Sequence, residues 1–240
     1  MLMIKQVKSS KGAQAVPRAR RATAVAAAGE PAPAAPAERG PVQGRSQASL
    51  KRMLAAARNL MLERDGEDFT LNDVSMTGKV SIGSIYHRFA SKDDLVRAVL
   101  EAEMKEIEAG ETLVQQRSLE QSRSLDQFIS LFIRDFFEVL KKHSLFIRLN
   151  IRRAATDPAA AMLGDTHEQR AAQRLHTALT VYAADIPGDL DRKASYSMLM
   201  IFFALAWQLT PEMPRPTKPQ QHPDWVIIEL CTMITSYLKN

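Results

Sequence analysis

Few features of this 240-residue sequence favour anything other than helices and loops. Glycine is sparse, at 10 residues, and no stretch alternates apolar with polar residues, so strands have little support. The single cysteine, Cys231, excludes an internal disulfide and a cysteine-based zinc site. The longest apolar run, residues 198–207, is half the length of roughly 20 residues that a membrane span needs. We therefore predict an all-α protein of the cytoplasm, where the cysteine stays reduced.

The sequence also lacks the motifs of common catalytic sites. It has no GxSxG, no P-loop, no HExxH and no glycine-rich dinucleotide fingerprint. Its histidines show no spacing typical of metal ligands, and a solvated helix face explains the group formed by Asp165, His167 and Glu168. We expect no enzymatic activity, no cofactor and no bound metal.

Basic charge is concentrated in the first 45 residues, which carry eight Lys or Arg and two Glu. Residues 46–105 carry nine charges of each sign, and residues 106–240 carry fifteen basic and sixteen acidic residues. The first 45 residues hold five of the twelve prolines and almost no large apolar residues, so burial cannot offset the entropy of ordering them. We predict a disordered tail over residues 1–45, either merely solvated or a basic arm that attracts phosphates nonspecifically.

Residues 46–105 are predicted to contain one helix after Ser49 and then three helix starts in close succession. After Ser49, the apolar residues between Leu50 and Met61 recur at the spacing of one helix face. Thr70 and Ser91 each stand three residues before an aspartate, which is the capping-box pattern, and Ser81 caps a short helix between them. Two short helices joined by a tight turn that contains glycine are typical of a helix-turn-helix.

The stretch TLNDVSMTGKVSIGSIYHRFASKDDL, residues 70–95, closely resembles the DNA-binding signature of TetR/AcrR-type bacterial transcriptional regulators. Its most specific part is VSIGSIYHRF at residues 80–89, followed by Ser91-Lys92. The resemblance implies an N-terminal three-helix helix-turn-helix domain at residues 46–105. It also implies a C-terminal helical domain for effector binding and dimerisation at residues 106–240, where only the architecture is similar.

The resemblance further implies which residues contact double-stranded DNA. Tyr86 and His87 match the phosphate-contacting pair of the family, and Lys92 places a charge and free backbone N–H groups beside a phosphate. Gly83 has no side chain, so the helix backbone can approach DNA closely, whereas Ile82 offers an apolar contact such as one to a thymine methyl. The predicted set is Thr70, Lys79, Ser81, Ile82, Gly83, Ser84, Tyr86, His87 and Lys92.

Some of these assignments leave an alternative open. Helix capping alone also explains Thr70, while Ile82 and Tyr86 could instead pack in the core. The turn departs from the family pattern of a small residue followed by glycine, because here Gly78 precedes Lys79. Either Lys79 adopts a left-handed conformation, at a cost of roughly 1–2 kcal/mol, or the turn shifts by one residue.

Residues 106–240 are predicted to be helical with a few breaks. Apolar residues between 125 and 140 keep helical spacing over four turns, and Pro158 starts another helix. A proline-rich loop at residues 211–223 separates the last two helices, residues 190–209 and 224–238. We predict that these two helices pair with those of a second copy in a homodimer.

The family resemblance implies an effector pocket among the middle helices. An apolar pocket with a few polar groups suits a lipophilic or aromatic effector. An aromatic stripe such as that of residues 128–137 is more often plain core than pocket lining. The candidate lining residues are Phe132, Phe136, Phe146, Leu149, Met162 and His167.

The predicted function is that of a repressor that an effector releases from a palindromic operator. The effector would bind better to a conformation in which the two DNA-reading helices are wrongly spaced. Two alternatives stay open. The chain could be an effector-independent regulator or activator of the same family, or a helical enzyme or interaction module that keeps the helix-turn-helix for packing.

Overall fold

The computed structural model describes residues 40–210 and 223–240, and within these ranges it contains α-helices, one 3-10 helix and no strand. The all-α prediction is confirmed. The 3-10 helix, Thr180–Asp185, follows α7. The α-helices are α1 (Gly40–Glu63), α2 (Leu71–Gly78), α3 (Ile82–Tyr86), α4 (Lys92–Gln121), α5 (Leu125–Lys142), α6 (Ser144–Ala154), α7 (Pro158–Leu179), α8 (Leu190–Gln208) and α9 (Pro223–Lys239).

The first helix begins earlier than the sequence predicts. It starts at Gly40 and not near Ser49, so residues 40–45 of the predicted disordered tail are helical. Proline is tolerated in a first turn, which accommodates Pro41. Residues 44–48 are exposed, so no apolar periodicity marks these turns. The rest of the predicted tail, residues 1–39, and residues 211–222 of the loop predicted at residues 211–223 lie outside the described residues, whereas Pro223 begins α9.

Buried side chains form two clusters. The head core combines α1, α2, α3 and the first turns of α4 with Phe146 and Leu149 of α6. The body core combines the later turns of α4 with α5, α7, α8 and α9. Because α4 runs without a break from Leu100 in the head core to Met104 in the body core, the predicted domain boundary at residue 105 falls inside a helix. The division at residue 105 stays a prediction.

The predicted amphipathic helix near residue 125 is α5, and its apolar stripe forms the centre of the body core. Phe128 and Phe136 are fully buried. The ring of Phe132 stacks between them, with centroid distances of 5.8 Å to Phe128 and 5.6 Å to Phe136. The alternative reading of this stripe as plain core is therefore the one that the structure bears out.

The apolar run at residues 198–207 lies in α8 and is buried on one face only. Ile201 and Leu205 are fully buried in the body core. On the opposite face, Phe203 is 62% exposed and Trp207 is 48% exposed. Within the described residues, no helix is long and apolar enough to cross a bilayer.

Candidate nucleic-acid interface and effector cavity

The predicted capping box at the start of α2 is present. The Thr70 hydroxyl accepts a hydrogen bond from the Asp73 backbone N–H at 3.1 Å, and the Asp73 carboxylate accepts one from the Thr70 N–H at 2.9 Å. Arg64 donates to the same carboxylate at 3.1 Å. The Thr70 N–H, followed by Arg64, holds the pKa of Asp73 below its ordinary value. These bonds fix where α2 begins.

The turn between α2 and α3 keeps its register, with Lys79 in the left-handed conformation at φ 50° and ψ 48°. The sequence left this open, and the geometry of Gly78 explains the outcome. A Cβ on Gly78 would lie 3.1 Å from the Arg52 carbonyl oxygen and 3.2 Å from the Ala56 Cβ. The glycine is therefore needed for the close approach of α2 to α1, and the residue after it takes the left-handed conformation.

Three buried residues anchor α3 to the head core, one within the helix and one on each side of it. Val80, Ile85 and Phe89 are buried in the head core. Ser81 caps the helix, since its hydroxyl oxygen accepts from the Ser84 N–H at 3.2 Å. The two serine hydroxyls are 2.7 Å apart, on the exposed side of the helix. One side of α3 is thus anchored while the other faces outwards.

Most of the predicted DNA contacts are exposed. Tyr86 is 59% exposed, so its alternative placement in the core is wrong. Ile82 is half-buried and packs against the head core, which leaves part of its side chain available for an apolar contact. The exposed members of the predicted set are Thr70, Lys79, Ser81, Gly83, Ser84, Tyr86 and His87.

Lys92 is held more closely by the protein than the sequence suggests. Its ammonium donates to the Glu67 carbonyl oxygen at 2.8 Å and lies 5.2 Å from the centre of the Phe69 ring. The backbone N–H groups of Ser91 and Asp94 are already bound within a second capping box. Two of the N–H groups expected to be free at this helix start are therefore engaged. A phosphate contact through Lys92 stays a prediction.

The charges of the electrically neutral helix-turn-helix segment are unevenly distributed. Residues 77–92, from the turn to the start of α4, include three basic residues and no acidic one. Acidic groups elsewhere in the segment bind arginines of α6. Arg148 donates to Asp65 at 2.8 Å, and Arg153 donates to Glu67 at 2.7 Å and to Asp93 at 2.9 Å. Exposed basic residues, Lys79 before α3 and Arg88 after it, therefore flank the exposed hydroxyl groups of Ser81 and Ser84.

A cavity of about 300 Å³ is lined by residues of α4, α5, α6, α7 and α8. Of the six predicted pocket residues, only His167 lines it. Met162 is 68% exposed and borders a separate surface groove near Arg170. The described lining residues are Met104, Ile107, Leu140, Ile147, Asn150, Ile151, Ala154, Ala161, Gly164, Asp165, His167, Glu168, Ala171, Met198, Leu199, Phe202 and Phe203.

The other four predicted pocket residues are packed in the two cores. Phe132 and Phe136 belong to the body core, and Phe146 and Leu149 belong to the head core. Helical periodicity identifies the buried face of a helix but does not distinguish a packed face from a cavity wall. The wall includes four small residues, Ala154 of α6 and Ala161, Gly164 and Ala171 of α7, which a search for large apolar residues misses.

A charged cluster lies behind the cavity, between α4 and α7. The His167 Nε2 is 3.0 Å from Glu111 Oε1, and Glu111 also binds Arg174. Glu111 is only 3% exposed, so these partners neutralise a buried carboxylate. Among the described residues, no group of His, Cys, Asp and Glu side chains has the arrangement of a metal site.

Residues 53–99, which include α2, α3 and the start of α4, match the family model of bacterial regulatory proteins of the tetR family. This family consists of transcriptional regulators and not of enzymes. A comparison with curated proteins finds no significant match.

Solved structures of transcriptional regulators have a similar fold. A candidate TetR-family regulator from Mesorhizobium loti is 14% identical, with a TM-score of 0.66 over 81% of this chain and 96% of that one. A transcriptional regulator from Rhodococcus sp. is 19% identical, with a TM-score of 0.58 over 79% of this chain and 96% of that one. GusR from Salmonella enterica is 16% identical, with a TM-score of 0.55 over 85% of this chain and 99% of that one. Residues 53–99 therefore form a tetR-family regulatory domain, in a chain that has the fold of TetR-family transcriptional regulators.

Proposed function

We propose that this chain is a sequence-specific DNA-binding repressor, which acts as a homodimer in the cytoplasm and is released from its operator by a small effector. The observation that carries the proposal is the outward side of α3. It joins exposed hydroxyls and an exposed tyrosine to a segment, residues 77–92, that has positive charge and no acidic residue. Such groups bind phosphates and base edges.

Each exposed group has a role suited to its chemistry. Tyr86 and His87 donate to phosphate oxygens at the end of α3, and Lys79 adds a charge at the turn. Ser81 and Ser84 offer hydroxyls to phosphates or base edges. Gly83 has open space around it, since a Cβ there would meet nothing within 4 Å, so the backbone can come close to DNA.

An exposed apolar stripe on α8 supports the homodimer. Tyr196, Met200, Phe203 and Trp207 follow one another at intervals of three or four residues, and each is at least 48% exposed. The exposed Met233 and Tyr237 of the neighbouring α9 border one groove with Tyr196 and Met200 and extend this surface. A patch of this kind marks an interface, and a twofold pairing would present two copies of α3 to successive major-groove faces, roughly 34–36 Å apart.

The two faces of α6 support coupling between effector and DNA. Ile147 and Ile151 line the cavity on one face. On the other, Phe146 lies in the head core and Arg148 and Arg153 bind acidic groups of the head. A ligand that moves α6 therefore acts directly on the part of the chain that carries α3. An effector that prefers one position of α6 shifts the population of DNA-binding conformers by its differential affinity.

Selection of duplexes from a random library with the full chain tests this function. We expect enrichment of an inverted repeat whose half-site centres are about 10 base pairs apart, or a multiple of that spacing. A shuffled duplex of equal composition should bind on the order of 10³-fold more weakly at the same salt concentration. Equal affinity for all duplexes, or no binding at micromolar protein, would contradict the proposal.

The sign of regulation needs a separate measurement. A reporter promoter that overlaps the selected duplex is expected to be repressed when the chain is produced. Stimulated transcription from that promoter would instead favour the activator alternative.

A further inference from the structure

We propose that the cavity lined by α4, α5, α6, α7 and α8 binds a lipophilic amine, a ligand with an apolar body and a protonated nitrogen. The inference rests on the proposed function only where it identifies this ligand as the effector. The site itself can be tested without DNA.

The size and lining of the cavity specify the body of the ligand. A volume of about 300 Å³ lies at the lower end of the usual range for small-molecule sites. Aliphatic and aromatic side chains such as Ile107, Met198 and Phe202 form most of the wall. This space suits one aromatic ring with a short alkyl chain, or an alkyl chain alone.

The ionisable residues of the wall specify the charge of the ligand. They are Asp165, His167 and Glu168, and the part of the wall formed by described residues contains no Lys or Arg. His167 is paired with the buried Glu111. The carboxylates of Asp165 and Glu168 form no hydrogen bond or ion pair with another residue in ranges 40–210 and 223–240, and both residues are exposed at the edge of the cavity. Two unpaired carboxylates attract a cation and repel an anion.

Asn150 points to the same ligand on independent grounds. This wall residue is only 4% exposed, and its amide nitrogen donates to the Ala160 carbonyl oxygen at 3.3 Å. The amide oxygen is buried and has no hydrogen-bond partner among the described residues. An unpaired buried acceptor costs free energy, which an N–H donor nearby would recover. A protonated amine carries such donors, whereas a carboxylate has none.

Other ligand classes fit these groups less well. An anionic ligand such as a fatty acid would bring its carboxylate towards Asp165 and Glu168. A purely apolar ligand would fill the space but leave the Asn150 oxygen unsatisfied. The unsatisfied polar groups of the wall are all acceptors, so a cationic donor complements them best.

Three probes of matched shape test the inference: 4-phenylbutylamine, 4-phenylbutan-1-ol and 4-phenylbutanoate. Their affinities for the full chain are measured by calorimetric titration at neutral pH. We expect the amine to bind about fivefold more tightly than the alcohol, the gain typical of a partly exposed ion pair, and the carboxylate to bind most weakly. Binding of the carboxylate as tightly as the amine, or of none of the three, overturns the inference.

Two variants assign the effect to this cavity. The double variant Asp165→Asn and Glu168→Gln should remove the advantage of the amine and change the affinity for the alcohol less than about twofold. Ala161→Phe, which fills the cavity from α7, should weaken all three probes. An amine advantage that persists in the double variant overturns the inference.

Operator binding without any probe is measured in parallel. Intact operator binding with equal affinities for the three probes overturns the amine inference alone. Amine binding without any sequence-specific DNA binding supports the site and contradicts the proposed function.

Discussion

Ser75 and Val80 close the turn between α2 and α3 with two hydrogen bonds that run in opposite directions. The Val80 N–H donates to the Ser75 carbonyl oxygen at 3.1 Å, and the Ser75 hydroxyl donates to the Val80 carbonyl oxygen at 2.6 Å. Between them, Gly78 lies against α1 and Lys79 takes the left-handed conformation. This closure sets the direction in which α3 leaves α2, and so the face that α3 presents.

The close approach of Gly78 to α1 predicts a loss of stability in Gly78→Ala. The added methyl group would meet the Arg52 carbonyl oxygen at 3.1 Å, so one helix must shift. We expect the free energy of unfolding in urea to fall by about 1–3 kcal/mol.

Gly83→Ala is the matched control, because a methyl group there meets nothing within 4 Å. Its stability should be unchanged or higher by up to about 1 kcal/mol, since alanine favours the helix. Its operator affinity should fall, because the methyl group stands on the outward side of α3. A Gly78→Ala protein as stable as the wild type would show that the helices do not need this contact.

Lys79→Asn separates backbone strain from charge. Asparagine tolerates the left-handed conformation better than lysine, so the free energy of unfolding should rise by up to about 1 kcal/mol. Operator affinity should fall, and the slope of its logarithm against the logarithm of salt concentration should decrease by about one phosphate contact. Lys142→Asn, at an exposed position of α5, is the control and should leave the slope unchanged. An unaltered slope in Lys79→Asn would remove Lys79 from the interface.

The capping box of α2 makes stability depend on pH in the acid range. Hydrogen bonds from the Thr70 N–H and from Arg64 hold the pKa of Asp73 below its ordinary value of 3.8. Because the folded state lowers this pKa, the stabilisation is present above about pH 4 and is lost as the pH falls through the folded value.

The melting temperatures of wild type and Asp73→Asn between pH 7 and pH 2.5 check this dependence. The variant should be less stable at pH 7, and the gap should close towards pH 2.5 as Asp73 is protonated in the wild type. A gap that stays constant with pH would mean that the charge of Asp73 does not contribute.

Local signals in the sequence were enough to predict much of the helix-turn-helix segment. The caps at Thr70, Ser81 and Ser91 are short-range features, and each is present where the sequence indicates. The early start of α1 was missed because residues 44–48 are exposed and carry no apolar pattern. Long-range contacts, such as the hydrogen bond from Lys92 to the Glu67 carbonyl oxygen, cannot be recognised from the spacing of residues along the sequence.

The cavity was harder to predict for a tertiary reason. Its wall combines residues of five helices, and small residues such as Ala154 and Gly164 leave the space open. The large aromatic residues that were predicted to line the pocket, including Phe136, are buried in the core instead. Only the packing of the helices decides which apolar face is filled and which encloses a cavity.

The exposed stripe of α8 predicts the oligomeric state. In sedimentation velocity at micromolar concentration, we expect the wild type to be a dimer and Phe203→Glu to be a monomer, because a buried unpaired carboxylate is costly at an interface. Val181→Glu is the control, since Val181 is 68% exposed but lies outside the stripe, in the 3-10 helix. A dimeric Phe203→Glu, or a monomeric wild type, would contradict the assigned interface.

The most direct test of the DNA-reading role is the operator affinity of Tyr86→Ala. Fluorescence anisotropy at one fixed salt concentration compares the full chain and this variant on the selected operator and on its shuffled counterpart. Because Tyr86 is 59% exposed, the variant should keep its melting temperature. Loss of its phosphate contact should weaken operator binding at least about tenfold, which corresponds to about 1.4 kcal/mol. A folded Tyr86→Ala that binds the operator as tightly as the wild type would contradict the claim that the outward side of α3 reads DNA.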